Sequence, residues 1–131
     1  NSFVEWMTVA DVDFVLTHPP GYELADKYRT RAGVEYDQEK AFKGADFIYA
    51  KNWSSYNKYG EILTEDPNWM ITEEKMALTN NAKFSHCLPL RRNIKATDGV
   101  MDSNYCVAIQ EADNRMHVQK SLLTKLLEEE K

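Results

Sequence analysis

The sequence predicts an α/β domain, a doubly wound and mostly parallel sheet with helices on both faces. Two observations carry that expectation. Short β-rich apolar runs alternate with capped helical stretches along all 131 residues, without a repeat, low-complexity tract or linker. Three of the runs also end in polar clusters: Lys51-Asn52-Trp53, His86 through Arg92, and Gln110-Glu111 leading to Asn114-Arg115. Open α/β sheets build ligand crevices at such carboxyl ends. Residues 1–131 are long enough for one domain with a real core.

The chain opens in a helix, with Phe3, Met7 and Ala10 at helical spacing beside Val4 and Ser2 as a cap. Doubly wound domains ordinarily start on a strand, so the expectation is a domain truncated at its amino end, its first strand missing. Asp13 to His18 reads as a strand closed by Pro19-Pro20-Gly21. Leu24 to Arg31 reads as a short helix stopped by Gly33, and Val34-Glu35-Tyr36 as a brief strand. Asp37 caps a helix through Phe42 that ends at Gly44. Asp46 to Ala50 is the clearest central strand, followed by a polar, aromatic loop to about Trp69.

Thr72 with Glu73 and Glu74 starts the next helix, because a hydroxyl cap and early acids satisfy the free N–H groups of a first turn. Lys83 to His86 is strand again, and Pro89 forces the backbone out of the sheet. Thr97-Asp98 caps a short helix through Met101. Cys106 to Ile109 reads as the last strand, and Ala112 to Leu127 as a long amphipathic helix. Its stripe of Val118, Leu122, Leu123, Leu126 and Leu127 reads as core or interface surface.

Hydrophobic residues at 43% and charged residues at 28% exclude disordered and collagen-like classes. A net charge of −5 argues against a nucleic-acid partner. It leaves Arg91 to Lys95 as a local positive island that attracts small anions. No apolar run has the length to cross a bilayer, so no membrane partner is expected. Cys87 and Cys106 sit in apolar runs, which suits buried thiols in the reducing cytoplasm, with a disulfide as the alternative. His18, His86 and His117 are scattered and neither cysteine has a nearby second thiol, so neither metal nor cofactor is expected. Lys51, Arg91 and Arg115, one from each strand end, make a double-anion site.

Two stretches carry a resemblance. His86-Cys87-Leu88-Pro89 with arginine following, and Glu111-Ala112-Asp113-Asn114-Arg115-Met116-His117-Val118-Gln119-Lys120, resemble the carboxyl-terminal domain of the transcarbamylases. The similarity runs from about Phe47 to Leu123 and more loosely from Asn1. Met76 to Asn81 and Arg91 to Asp98 look most like the branch of the family that acts on N-acylated ornithine. Where enzymes for free ornithine end a strand in aspartate, Lys51 stands here, and the Ser-Met-Gly that follows in them is absent. Acylation removes the α-ammonium and leaves a carboxylate, so a lysine fits where an aspartate would repel.

The resemblance implies transfer of the carbamoyl group of carbamoyl phosphate to the δ-amine of N-acylornithine, a step of arginine biosynthesis needing no cofactor. Cys87, Leu88 and Arg115 would be catalytic, the first two through backbone carbonyls. Lys51, His86, Pro89, Arg91 and Lys95 would bind substrate. Lys95 matches a lysine that the acetylornithine branch carries carboxylated, which tips the expectation toward an acetyl over a succinyl substrate; a solvated loop lysine is the alternative.

Cys87 is read as an unreactive thiol, Arg92 as a partner for carboxylates such as Asp98, and Trp53 and Trp69 as loop packing. The family's Ser-x-Arg-Thr phosphate loop has no equivalent here. The chain alone is therefore expected to be inactive, its partners being an amino-terminal domain and, at full length, a homotrimer. Two other readings stand beside this one. Aspartate transcarbamylase is disfavoured because its loop lacks the Cys-Leu-Pro order. A stand-alone ligand-binding or regulatory module would have kept half of such a site.

Overall fold

The computed structural model describes residues 2–30, 32–55, 57–64 and 66–129. Helix α1 (Ser2–Met7) leads to strand β1 (Val15–Leu16), helix α2 (Asp26–Arg29) and strand β2 (Gly33–Val34). Helix α3 (Gln38–Phe42), strand β3 (Phe47–Ala50), a 3-10 turn at Pro67–Trp69 and helix α4 (Glu73–Met76) follow. Strand β4 (Lys83–His86), helix α5 (Asp98–Met101) and the long helix α6 (Ala108–Glu129) complete the order.

The α/β class and the parallel pairing are as expected. The strands lie in two parallel pairs, however, and not in one continuous sheet. β1 pairs with β2, Val15 opposite Gly33. β3 pairs with β4, with Ile48 opposite Phe84, Tyr49 opposite Ser85 and Ala50 opposite His86. The short strand expected at Val34 to Tyr36 begins at Gly33, where it matches β1, and α2 is shorter than read, with Arg31 outside the described residues.

The last expected strand is corrected. Cys106 makes a single bridge to Phe84, framed by Phe84 N–H to Tyr105 O at 2.8 Å and Val107 N–H to Phe84 O at 2.8 Å. Glu111 N–H then bonds Val107 O at 2.9 Å, and the helical ladder takes over at Ala108. The extended run stops because α6 claims the backbone four residues earlier than its apolar period indicated.

Three helix caps are those read from the sequence, whereas Ser2, read as a cap, is itself the first residue of α1. Asp37 accepts the Glu39 and Lys40 N–H groups, Thr72 accepts from Lys75 N, and Thr97 from Val100 N. One core holds these elements around the β3–β4 pair: Phe42, Ile48, Ile71, Met76, Ala82, Phe84, Ala96 and Val100. Lys75, half-buried under this layer, donates to Gln38 Oε1 at 2.6 Å, to Met70 O at 2.9 Å and to Asn68 O. Those bonds hold the end of the 3-10 turn against α3 and α4.

Of the two readings of the α6 stripe, core or interface surface, the core one does not hold among the described residues. The helix's only buried described residue is Ala108, and the stripe from Val118 to Leu127 faces outward, Val118 being 66% exposed. No described helix is long and apolar enough to cross a membrane.

Candidate active site

Strands β3 and β4 end side by side because their ladder runs in register to Ala50 and His86. Two loops therefore leave the sheet together, one starting at Lys51 and the other at Cys87. Asn52 Nδ2 donates to Pro89 O at 2.9 Å and ties the loops to each other. Lys51, at the start of the first loop, is exposed.

The second loop begins in a tight turn. His86 is completely buried, and its Nδ1 accepts the Leu88 N–H at 3.0 Å. Leu88 has φ of 39°, in the left-handed region, which costs a branched side chain about 1–2 kcal/mol. Cys87 and Leu88 are half-buried and Pro89 is exposed, its carbonyl meeting Asn52 of the other loop. Burial holds the His86 imidazole below the ordinary histidine range, against the pull of Glu111 and with help from Lys95.

Beyond Pro89, the loop is closed on itself. Lys95 N–H bonds Arg91 O at 3.0 Å, and Asn93, with φ of 57°, bonds Ala96 O through its N–H at 2.7 Å. Asn93 and Asp98 exchange two hydrogen bonds, of 2.8 and 3.0 Å. Arg92 forms charge-assisted bonds to Asp98 at 2.8 Å and Asp102 at 2.7 Å, the carboxylate-partner role read from the sequence. With Arg92 turned onto α5, Arg91 is exposed and Lys95 is the loop cation that meets the β3 loop. Ile71 N–H to Lys95 O at 2.9 Å fixes the loop's far side to the core.

Lys95 lies over the face of Trp53, 3.4 Å from the ring centroid. Trp53 in turn meets Trp69 edge-on, centroids 6.3 Å apart, and tilts against Tyr22 at 5.8 Å. Burial, and then the neighbouring Arg91 charge, lower the Lys95 ammonium below the ordinary lysine range. The packing role read for the two tryptophans is present. Trp53 has in addition a direct partner in the site, which the sequence reading missed; the available signal was an indole two residues from Lys51.

The third polar cluster lies in α6, which follows the Cys106 bridge. Glu111, in its first turn, accepts the Ser85 Oγ hydrogen bond, and Arg115 follows one turn on, exposed. Tyr49 connects this corner to the Cys-Leu-Pro turn. Burial, the Cys87 thiol and the Glu111 carboxylate push its phenol up to about 12, opposed by Arg115. Its ring stacks on Phe3 of α1 with centroids 4.1 Å apart. Tyr49 and Ser85 receive no role from the sequence, and Asn52 only a place in its strand-end cluster, because their contacts depend on strand pairing.

His86 thus ends β4, Cys87, Leu88, Pro89, Arg91 and Lys95 follow in one loop, Lys51 starts the loop bonded to it, and Arg115 lies on the helix packed against β4. His117 and Lys120 lie farther along α6 and are exposed, His117 facing Asp113 at 3.8 Å. Among the described residues no group of three metal-ligating side chains gathers, and both thiols are free.

Fold and site together define a parallel α/β domain with basic and backbone-lined loops at the adjacent ends of two strands. Over residues 1–126 the chain matches the family described as aspartate/ornithine carbamoyltransferase, Asp/Orn binding domain, and it belongs to that family. It is 54% identical over 130 residues to the N-succinylornithine carbamoyltransferase of Bacteroides thetaiotaomicron, covering 98% of this chain and 41% of that protein. It is 44% identical over 144 residues to the N-acetylornithine carbamoyltransferase of Xylella fastidiosa, covering 96% of this chain and 43% of that one.

Among solved structures it superposes on an acetylornithine transcarbamylase complexed with acetylcitrulline, at a TM-score of 0.84 and 42% identity, over 95% of this chain and 43% of that one. An N-acetyl-L-ornithine transcarbamylase mutant complexed with carbamyl phosphate and N-succinyl-L-norvaline gives a TM-score of 0.83 at 42% identity, over 94% and 42% of the two chains. The chain spans about two fifths of the length of the curated relatives it matches.

Proposed function

We propose that this domain is the acylornithine-binding part of a carbamoyltransferase that moves the carbamoyl group of carbamoyl phosphate onto the δ-amine of an N-acylornithine. The observation that carries this reading is Lys51 at the end of β3, beside the Cys-Leu-Pro turn, where enzymes for free ornithine carry an aspartate. A cation there favours a ligand with a carboxylate and no α-ammonium.

In this reading Lys51 and Arg91 hold the α-carboxylate end. The δ-amine must first lose a proton, from an ordinary value near ~10. The carbonyls of Cys87 and Leu88 accept its hydrogen bonds and aim its lone pair. The nitrogen attacks the carbamoyl carbon; the C–N bond forms, the C–O bond to phosphate breaks, and the amine gives up its remaining extra proton. Arg115, as a fixed donor, offsets the charge that gathers on the carbonyl and phosphate oxygens. Holding both reactants in place is worth roughly 7–11 kcal/mol of the barrier. The phosphate-binding elements would come from an amino-terminal domain, and the working enzyme would be a trimer without metal or cofactor.

Two acyl groups fit this scheme. The higher identity to the Bacteroides relative favours succinyl. Lys95, lowered toward the neutral amine that carbon dioxide needs, and the likeness to a structure holding acetylcitrulline favour acetyl. The test is a carbamoyl-transfer assay of the full-length polypeptide with N-acetylornithine, N-succinylornithine and free ornithine. Turnover confined to an acylated substrate is expected; free ornithine as the best substrate would overturn the proposal. The 131-residue domain assayed alone should give no turnover.

A further inference from the structure

Leu88 is an apolar, branched residue in a conformation that L residues seldom adopt, with φ of 39° at the mouth of the site. Something must hold it there. Its N–H is engaged by His86 Nδ1 at 3.0 Å, an i to i+2 bond that closes the turn as an asparagine side chain does in an Asx turn. His86 is itself 0% exposed, locked into β4 opposite Ala50.

The ring is poorly suited to a packing role alone. With Nδ1 accepting, the neutral imidazole carries its proton on Nε2, which is buried and has no partner among the described residues. A leucine or phenylalanine would fill that space without orphaning a nitrogen. What the imidazole adds is an acceptor at the Leu88 N–H.

We propose that His86 is a positioning residue: by accepting the Leu88 N–H it holds the left-handed turn and so aims the Cys87 and Leu88 carbonyls at the substrate amine. This rests on the carbamoyl-transfer reading above. On this account His86 never touches substrate, and any side chain with an acceptor in the place of Nδ1 can replace it.

The experiment compares His86→Asn with His86→Leu in the full-length polypeptide. Asparagine offers Oδ1 to the Leu88 N–H; leucine keeps the bulk and loses the acceptor. The expected result is that H86N keeps kcat within about threefold of the parent, while H86L loses roughly 10- to 100-fold, the scale of a displaced reacting group. KM for carbamoyl phosphate should stay unchanged in both. If H86L matches or exceeds H86N, or both fall equally with native-like melting, the proposal is wrong.

A second measurement does not depend on turnover or on the variants folding. A through-hydrogen-bond nitrogen–nitrogen coupling between Leu88 N and His86 Nδ1 should be present in the isotope-labelled parent protein, and its absence would equally reject the proposal. A parent enzyme with that coupling but inactive on every acylornithine would instead remove the functional reading.

Discussion

The ammonium of Lys95 sits 3.4 Å from the ring centroid of Trp53, and Trp53 is held in place by Trp69 and Tyr22. A cation on an aromatic face in a partly desolvated loop gains about 1–2 kcal/mol. The contact links the loop after β3 to the loop after β4, at the point where two of the site's cations, Arg91 and Lys95, repel each other.

Replacing Trp53 with leucine should therefore release Lys95 into solvent. Its amine should titrate closer to an ordinary lysine, since less of the burial that lowers it remains. Amine labelling of Lys95 followed against pH should shift to higher pH in the variant. An unchanged profile would mean that the indole does not govern the lysine.

A lowered Lys95 also predicts carbamate formation. The neutral amine attacks carbon dioxide, a C–N bond forms, a proton leaves, and the cation becomes an anion. Carbon-13 bicarbonate should give a carbamate signal that grows with pH and vanishes in Lys95→Arg. Because an anion is repelled by the indole face, the same addition should change Trp53 fluorescence. Failure to see the carbamate at any pH would leave Lys95 as an unmodified loop cation.

Lys51→Asp reverses the charge at the end of β3. Loss of a charge-assisted contact worth about 1.5–3 kcal/mol should lower kcat/KM for acylornithine by roughly 10- to 100-fold in the full-length polypeptide. Relative use of free ornithine should rise, because the aspartate can meet an α-ammonium. Equal losses on both substrates would show that position 51 does not read the α-substituent.

Phe84 is fully buried at the centre of the core, opposite Ile48, and its backbone also pairs with the segment entering α6. Phe84→Ala should cost about 3–5 kcal/mol in denaturant unfolding. A loss below about 1 kcal/mol would mean that the surrounding side chains refill the space.

Acid should destabilise the domain through His86. The unfolded chain protonates this ring near the ordinary value of about 6.5, whereas the native fold keeps it neutral to lower pH. Below that value the unfolded state binds more protons, so stability falls as pH falls, and rises with pH up to it. Melting curves between pH 5 and 7 should show a shallower slope in His86→Asn; an identical slope would exonerate the ring.

Local chemistry made much of this domain legible in advance. The caps at Asp37, Thr72 and Thr97 need only a side-chain oxygen and the next few N–H groups, and all three were read correctly. Strand β4 was legible for the same reason, since a β-rich run meets a proline. The strand expected at Cys106 to Ile109 was not, because nothing local reveals that Val107 spends its N–H on Phe84 before α6 begins. The apolar stripe of α6 was recognised, but periodicity alone does not say whether a stripe meets the domain's own core.

The candidate site divides along the same line. The sequence by itself placed Lys51, the Cys-Leu-Pro turn, Arg91 and Lys95 at or beyond strand ends, where side chains and free backbone groups can meet a ligand, whereas Arg115, read at a helix start, lies about two turns inside α6. Only the tertiary structure decided that Asn52 reaches Pro89, that Glu111 receives Ser85, and that Lys95 rests on Trp53. Those contacts join residues far apart in the chain, and the parallel register of β3 on β4 brings them within bonding distance. That register is set by how apolar faces pack, which no single segment encodes.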